Sequence, residues 1–199
     1  MSESEQNILN AAEALFSNQG FDATSIKQIA DQAGLSKSSI FHYFSNKDAL
    51  YLAVIKRSCQ GIQAMLNTLS QSANLDTISK LILYCAHDLQ EMMNHADVVR
   101  LTLRELTYGR EAHAQQLAQE AFSEQFLHLR ALISEGQQCG LLRQDINAGH
   151  QAIALTGLNV FLFLTWPSLK YLPQGDFVEP FKSGETLCDL LLNGMRTAQ

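Results

Sequence analysis

The sequence predicts an all-α chain in two parts: a three-helix N-terminal domain over residues 1–48 and a larger all-helical domain over residues 49–199. Three observations carry this reading. Apolar residues recur at helical spacing in one segment after another. No stretch reads as a paired set of strands, and there is no internal repeat or low-complexity tract. Thr24 to Leu50 reads as two short helices meeting at a tight glycine turn, followed directly by the start of a longer helix.

Composition narrows the class. The chain has 199 residues, 46% hydrophobic and 17% charged, which suits a compact core and excludes a disordered chain. The net charge of −6 argues against a broadly basic nucleic-acid binder. Residues 1–57 hold five basic side chains (Lys27, Lys37, Lys47, Lys56, Arg57) against six acidic ones, so DNA binding must rest on the local cluster of Lys27, Lys37 and Lys47. Cys59, Cys85, Cys139 and Cys188 form no C-x-x-C pair and read as reduced, mostly buried thiols, with redox sensing as the sharper alternative. The N-terminus has no basic-then-apolar signal. The longest apolar run, Ala152 to Trp166, is interrupted by Thr156 and Asn159 and is shorter than the roughly 20 residues a membrane span needs. The expectation is a cytoplasmic protein with no membrane partner.

Ser4 to Asn18 is the first helix, with Ile8, Ala11, Ala12, Leu15 and Phe16 on one stripe and Gly20 at its end. Ser25 to Gln32 is the second. Ile26, Ile29, Ala30 and Ala33 face inward, Thr24 is placed to cap it, and Gly34 supplies a left-handed turn residue. Ser36 caps the third helix, Lys37 to Tyr43. This helix buries Ile40 and Phe44 and leaves Lys37, Ser38, Ser39, Phe41, His42 and Tyr43 outward or at its edges. A short helix with small polar groups, a cation and aromatics suits the DNA major groove. Ser45 and Asp48 resemble a capping box for a helix from Asn46 to about Ser70, and Lys47 lies in its first turn, where a phosphate is favoured. Gly61 is the weak point of that helix.

Leu75 to Met93, Ala96 to Tyr108 and Arg110 to Gln138 follow as amphipathic helices, the last stopped by Gly140. Asn147 caps Ala148 to about Trp166, which is apolar nearly all round and so requires cover on every side. A final helix starts between Glu179 and Glu185, beyond a loop over Ser168 to Gly175. Its Leu187, Leu190, Leu191 and Met195, with the preceding apolar helix, form either a dimer seam or the closure of the protomer core.

Catalytic motifs are absent: there is no Gly-rich phosphate loop, no G-x-S-x-G and no H-E-x-x-H. No catalytic residue, metal or cofactor is assigned. His87, Asp88, Glu91 and His95 can be drawn as a metal set, but histidines at helix edges are more often solvated or hydrogen-bonded. Arg104 either joins helix-face ion pairs or meets a ligand carboxylate. Tyr84, Met92, Tyr108, Phe122, Phe126, Phe163 and Trp166 line a cavity or form plain core. As candidate ligand contacts we take Tyr84, His87, Arg104, Phe126, Phe163 and Trp166.

The run Thr24, Ile29, Ala30, Ala33, Gly34, Ser36, Tyr43, Phe44, Lys47, Asp48 and Leu50 resembles the DNA-binding domain of the TetR/AcrR family of bacterial one-component repressors. The resemblance covers about the first quarter of the chain, and the remainder agrees in length and helical rhythm. It implies that Ser25 contacts phosphate, that Lys37, Ser38 and Ser39 face base edges, and that His42, Tyr43 and Lys47 hold the DNA backbone. It further implies a homodimer on a palindromic operator of double-stranded DNA, released by a partly apolar small-molecule effector bound within residues 49–199. The chain departs from the family at Ser38 and Ser39, where Gly and Thr are frequent, and at Phe41, where Tyr is frequent and would offer a hydroxyl to phosphate. A helical protein-interaction module that does not bind DNA is the alternative, and an enzyme using His87 and Asp88 ranks below both.

Overall fold

The computed structural model describes residues 1–109, 111–169, 171–173 and 179–195. Eleven helices and no strand occur among them: α1 Glu3–Gln19, α2 Ile26–Ala33, α3 Lys37–Tyr43, α4 Lys47–Ser58, α5 Gln60–Gln71, α6 Thr77–Asn94, α7 Ala96–Tyr108, α8 Glu111–Leu117, α9 Ser123–Gln138, α10 Ala148–Leu169 and α11 Pro180–Met195. Arg110, expected to open a helix, and Gly175, expected to end a loop, lie outside the described residues.

The chain divides into two compact units, residues 1–60 with 95–122, and residues 61–94 with 123–199. The first unit joins α1–α4 to α7 and α8. Its core gathers Ile8, Ala12 and Phe16 of α1, Ile29 and Ala30 of α2, Ile40 of α3, Leu50, Val54 and Ile55 of α4, Val98 and Leu101 of α7, and Leu117 of α8. Small Ala30 lets α2 and α3 approach, and Gly34 between them takes φ 68°, ψ 30°, the left-handed region that glycine enters without a Cβ penalty. In the second unit α6 packs against α9, α10 and α11. Gly184 of α11 makes one of these approaches possible, since a Cβ there would meet Leu89 Cδ2 at 2.9 Å.

The caps correct two expectations. Ser25, not Thr24, caps α2: its hydroxyl accepts from Gln28 N–H while Gln28 Oε1 accepts from Ser25 N–H, a reciprocal box. Thr24 is buried and donates to Gly20 O at 2.7 Å instead. Asn46, not Ser45, caps α4, accepting from Ala49 N–H at 2.7 Å.

Two helices read as continuous are interrupted. Between α4 and α5, Cys59 closes a tightened turn onto Ile55 O and Lys56 O, and Ser58 Oγ donates to Ile55 O as well. Gly61 just beyond adds no helix propensity to oppose the break. Between α8 and α9 the chain widens into a π-helical turn over Ala118–Phe122. The extra residue per turn re-phases the helix, so His113 and Leu117 before it and Leu129, Leu132 and Ile133 after it are all buried.

Helix α10 runs further than expected, through Pro167 to Leu169, and is long and apolar enough to cross a membrane by length and composition. Two of its polar residues, Gln151 and Asn159, are buried, whereas His150 and Ser168 are exposed. Its apolar residues Ile153, Phe161 and Leu164 are more than half exposed.

Candidate nucleic-acid interface and effector region

Helix α3 turns Ile40 into the core and presents Lys37, Ser38, Phe41 and His42, all exposed, on its outer face. These positions are i, i+1, i+4 and i+5, one continuous stripe of a helix. Ser36 caps α3 by accepting from Ser39 N–H at 3.1 Å, and its hydroxyl also meets those of Ser38 at 2.7 Å and Ser39 at 2.8 Å. The three serines thus make one small hydroxyl cluster at the start of the helix, with Ser39 only half-exposed beside it. Ser25 is exposed one helix earlier, with its hydroxyl committed to the α2 cap. Tyr43 is partly exposed, packs edge-to-face on His42 at 5.3 Å, and accepts from Ser2 Oγ at 3.2 Å.

Lys47 stands differently from its expected place. Its ammonium donates to Phe21 O at 2.9 Å and Thr24 O at 3.0 Å and lies 4.2 Å from the centre of the Phe21 ring. The side chain ties the loop before α2 to the first turn of α4, and its charge is directed into the protein.

Of the six candidate ligand contacts, five belong to the second unit and one to the first. Tyr84 and Phe163 are buried, His87 and Trp166 are half-buried, and Phe126 is partly exposed, all in the second unit. Arg104 is exposed and belongs to the first unit, where its guanidinium lies against Gly20. Among the described residues no set of three or more His, Cys, Asp and Glu gathers as metal donors.

Sequence reasoning missed two polar clusters. In the second unit, Asn159 Nδ2 donates to Asp88 Oδ2 and to Cys85 O, both at 2.9 Å. Gln125 Nε2 donates to Tyr84 Oη at 3.3 Å and approaches Asp88 Oδ1 at 3.5 Å. Burial pushes the Asp88 carboxyl up to about 6, against the downward pull of its Asn159 and Gln125 hydrogen bonds. Asn159 was visible as the polar interruption of the apolar run in α10, the one sequence signal for this cluster. In the first unit, His113 of α8 is hydrogen-bonded to Asp48 of α4 and Glu105 of α7, with Phe21 and Tyr51 packed on its ring. No sequence pattern links those residues.

A small trihelical core presenting a short, exposed helix after a left-handed glycine turn is the architecture of a helix-turn-helix DNA-binding protein. The comparisons are in accord. The family model described as "Bacterial regulatory proteins, tetR family" matches residues 8–54, and "Tetracyclin repressor-like, C-terminal domain" matches residues 78–184. The HTH-type transcriptional repressor NicS of Pseudomonas putida is 27% identical over 96% of this chain and 91% of its own length. The HTH-type transcriptional regulator RutR of Escherichia coli is 48% identical over 50 residues, 25% of this chain and 24% of its own. The crystal structure of the transcriptional regulator FadR from Bacillus subtilis in complex with stearoyl-CoA shares the fold at TM-score 0.80 and 20% identity, over 96% of this chain and 98% of that one. The chain belongs to the TetR family, whose members bind DNA and small-molecule effectors. It is a DNA-binding transcriptional regulator.

Proposed function

We propose that the protein is a cytoplasmic repressor that binds a palindromic operator as a homodimer and releases it when a partly apolar small molecule enters the helical domain. Residues 1–48 serve as the DNA-binding domain in this reading, and residues 49–199 as the ligand-binding and dimerisation domain. The observation that carries it is the outer stripe of α3: Lys37, Ser38, Phe41 and His42 are exposed on a helix whose opposite face is anchored by Ile40. Lys37 and the serine hydroxyls supply donors and acceptors for base edges, and Phe41 suits a thymine methyl. Ser25 and Tyr43 beside the stripe, and His42 at its end, serve as backbone contacts. The homodimer is supported by the uncovered apolar residues of α10 and by Leu190 of α11, which is 67% exposed. Effector response is supported by family membership, in which repressors such as NicS stand. A molecule favouring one arrangement of the two DNA-reading heads over another shifts the dimer between bound and released states.

The test is fluorescence anisotropy of the purified protein on its own upstream intergenic DNA at two salt concentrations, before and after denaturation and refolding to strip bound ligand. Salt-sensitive binding that prefers this DNA to a scrambled duplex supports the reading. Absence of binding at low salt from the refolded protein overturns it.

A further inference from the structure

The interior of the second unit holds a buried carboxyl and an unmet amide oxygen side by side. Asp88 and Asn159 are 3% and 0% exposed, and they meet between α6 and α10, with Gln125 of α9 closing the group. The amide donors are spent: Asn159 Nδ2 serves Asp88 and the Cys85 carbonyl, and Gln125 Nε2 serves Tyr84 and, at longer range, Asp88, while the Tyr84 hydroxyl is also hydrogen-bonded with Thr156. Asn159 Oδ1 has no hydrogen-bond partner. Among the described residues no Lys, Arg or His is paired with Asp88, and the charged neighbour that acts on it is Glu91, also an acid. The same helices also bury apolar Leu81, Leu89, Leu155 and Phe163.

A buried acceptor without a donor costs about 1–3 kcal/mol, and a buried carboxyl without a cation more. Natural interiors hold few such groups. The group differs from ordinary core in two ways: its unmet atom, Asn159 Oδ1, is an acceptor, and its carboxyl faces no cation. A species that completed it would bring N–H donors and positive charge on a body apolar enough to enter.

We infer that Asp88, Asn159 and Gln125 form the polar end of the effector site, and that the effector presents a cationic, N–H-donating nitrogen group on an apolar body. This rests on the reading of the protein as effector-responsive. An amidinium or a protonated amine satisfies Asp88 and Asn159 Oδ1 together, whereas a carboxylate ligand would add a like charge to Asp88 and a further acceptor to a site that lacks donors. The raised Asp88 carboxyl is consistent with this, since a cation is what the site lacks. Because the group is closed to solvent, a ligand reaching it must part α6 from α10, and binding there is thereby coupled to a change in helix packing.

The test uses benzamidine and benzoate, which share a flat ring and a two-pronged planar head but carry opposite charge. Thermal melting of the full-length protein is followed with each compound, for wild type and for Asp88→Asn. Benzamidine at about 10 mM should raise the wild-type melting temperature by about 2–4 °C, and benzoate should not. The rise should vanish in Asp88→Asn. A rise that survives in Asp88→Asn, an equal rise with benzoate, or no rise with benzamidine overturns the inference. Should Asp88→Asn fail to fold, Gln125→Ala, at a half-buried position, carries the test: the rise should fall by half or more, and an unchanged rise is a refutation. Operator binding is measured separately without benzamidine. Its failure would remove the regulator reading and leave an Asp88-dependent benzamidine site standing, so the two failures are distinguishable.

Discussion

His113 Nε2 lies 2.6 Å from Asp48 Oδ1, and its Nδ1 lies 2.6 Å from Glu105 Oε1. Each ring nitrogen lies within hydrogen-bond distance of a carboxyl oxygen, so the imidazole bridges α4 and α7. The ring is 8% exposed at its side chain and is packed edge-on against Phe21 at 4.9 Å. Helix α8 thereby holds α7 and the first turn of α4 together, one residue after Lys47. His113→Ala removes the ring that hydrogen-bonds both the Asp48 and the Glu105 carboxyl groups. It should destabilise the protein by about 2–4 kcal/mol, lowering the melting temperature by about 4–12 °C. A melt unchanged from wild type would show that the bridge contributes nothing.

Lys47 holds the other side of the same turn. With its ammonium on Phe21 O and Thr24 O, Lys47→Met should cost about 2–3 kcal/mol in stability. It should leave the slope of log affinity against log salt on DNA unchanged, because no phosphate contact is lost. Lys37→Ala should leave the melt within about 0.5 kcal/mol and narrow the preference for the operator over a scrambled duplex by about 10-fold, as the loss of one base-edge contact does. An unchanged preference in Lys37→Ala would remove Lys37 from the base edges, and a reduced salt slope for Lys47→Met would return Lys47 to the phosphate.

What could be read ahead of the structure was local. Gly34, the Ser36 cap and the inward Ile40 are all set within four residues of their partners, so spacing and turn chemistry suffice to place them. Caps with two adjacent candidates were harder: Thr24 and Ser25 have similar chemistry, and the choice follows from Thr24 reaching back to Gly20 O. The break at Cys59 turns on one hydroxyl, Ser58 Oγ, taking the Ile55 carbonyl. Lys47 sits at the expected position and turns the unexpected way, because two carbonyls 23 and 26 residues earlier receive it. His113 and Asp48 are 65 residues apart, and Asp88 and Asn159 are 71 apart. Only packing brings such pairs together, and an isolated His or Asp in an amphipathic helix gives no sign of it.

Asp88 gives the stability a pH dependence of defined sign. Its folded carboxyl stands at about 6 against 3.8 for the ordinary group. The folded state therefore holds more protons than the unfolded state between these values, and stability is lost as pH rises through that window. Asp88→Asn removes the loss. The variant should match wild type near pH 4 and exceed it at pH 7.5 by up to about 3 kcal/mol. Chemical denaturation at the two pH values reads the difference. A variant less stable than wild type at pH 7.5 would mean that the ionised carboxylate is well satisfied where it lies. A gain would mean that the protein retains Asp88 at a cost to its own stability, as binding sites commonly do.

The apolar stripe of α10 leads to the last prediction. Ile153, Phe161 and Leu164 are 61%, 58% and 56% exposed, spaced eight and three residues apart, so they line one side of the helix. Asn159 and Gln151 of the same helix are buried among its packed residues. The helix is apolar on its buried side, where Ala152, Leu155, Leu162 and Phe163 lie, and on its exposed side as well, and a helix keeps an outward apolar stripe when a second surface covers it. A second copy fits, because a two-fold axis lets one stripe cover its own equivalent. Phe161→Glu places two like charges near that axis while disturbing little within the protomer, where the ring is mostly exposed. The variant should keep its helical content and melt cooperatively, elute as a monomer in size-exclusion chromatography with light scattering, and lose about 100-fold in operator affinity as the two heads become unlinked. A dimer that survives Phe161→Glu would assign the seam to another surface.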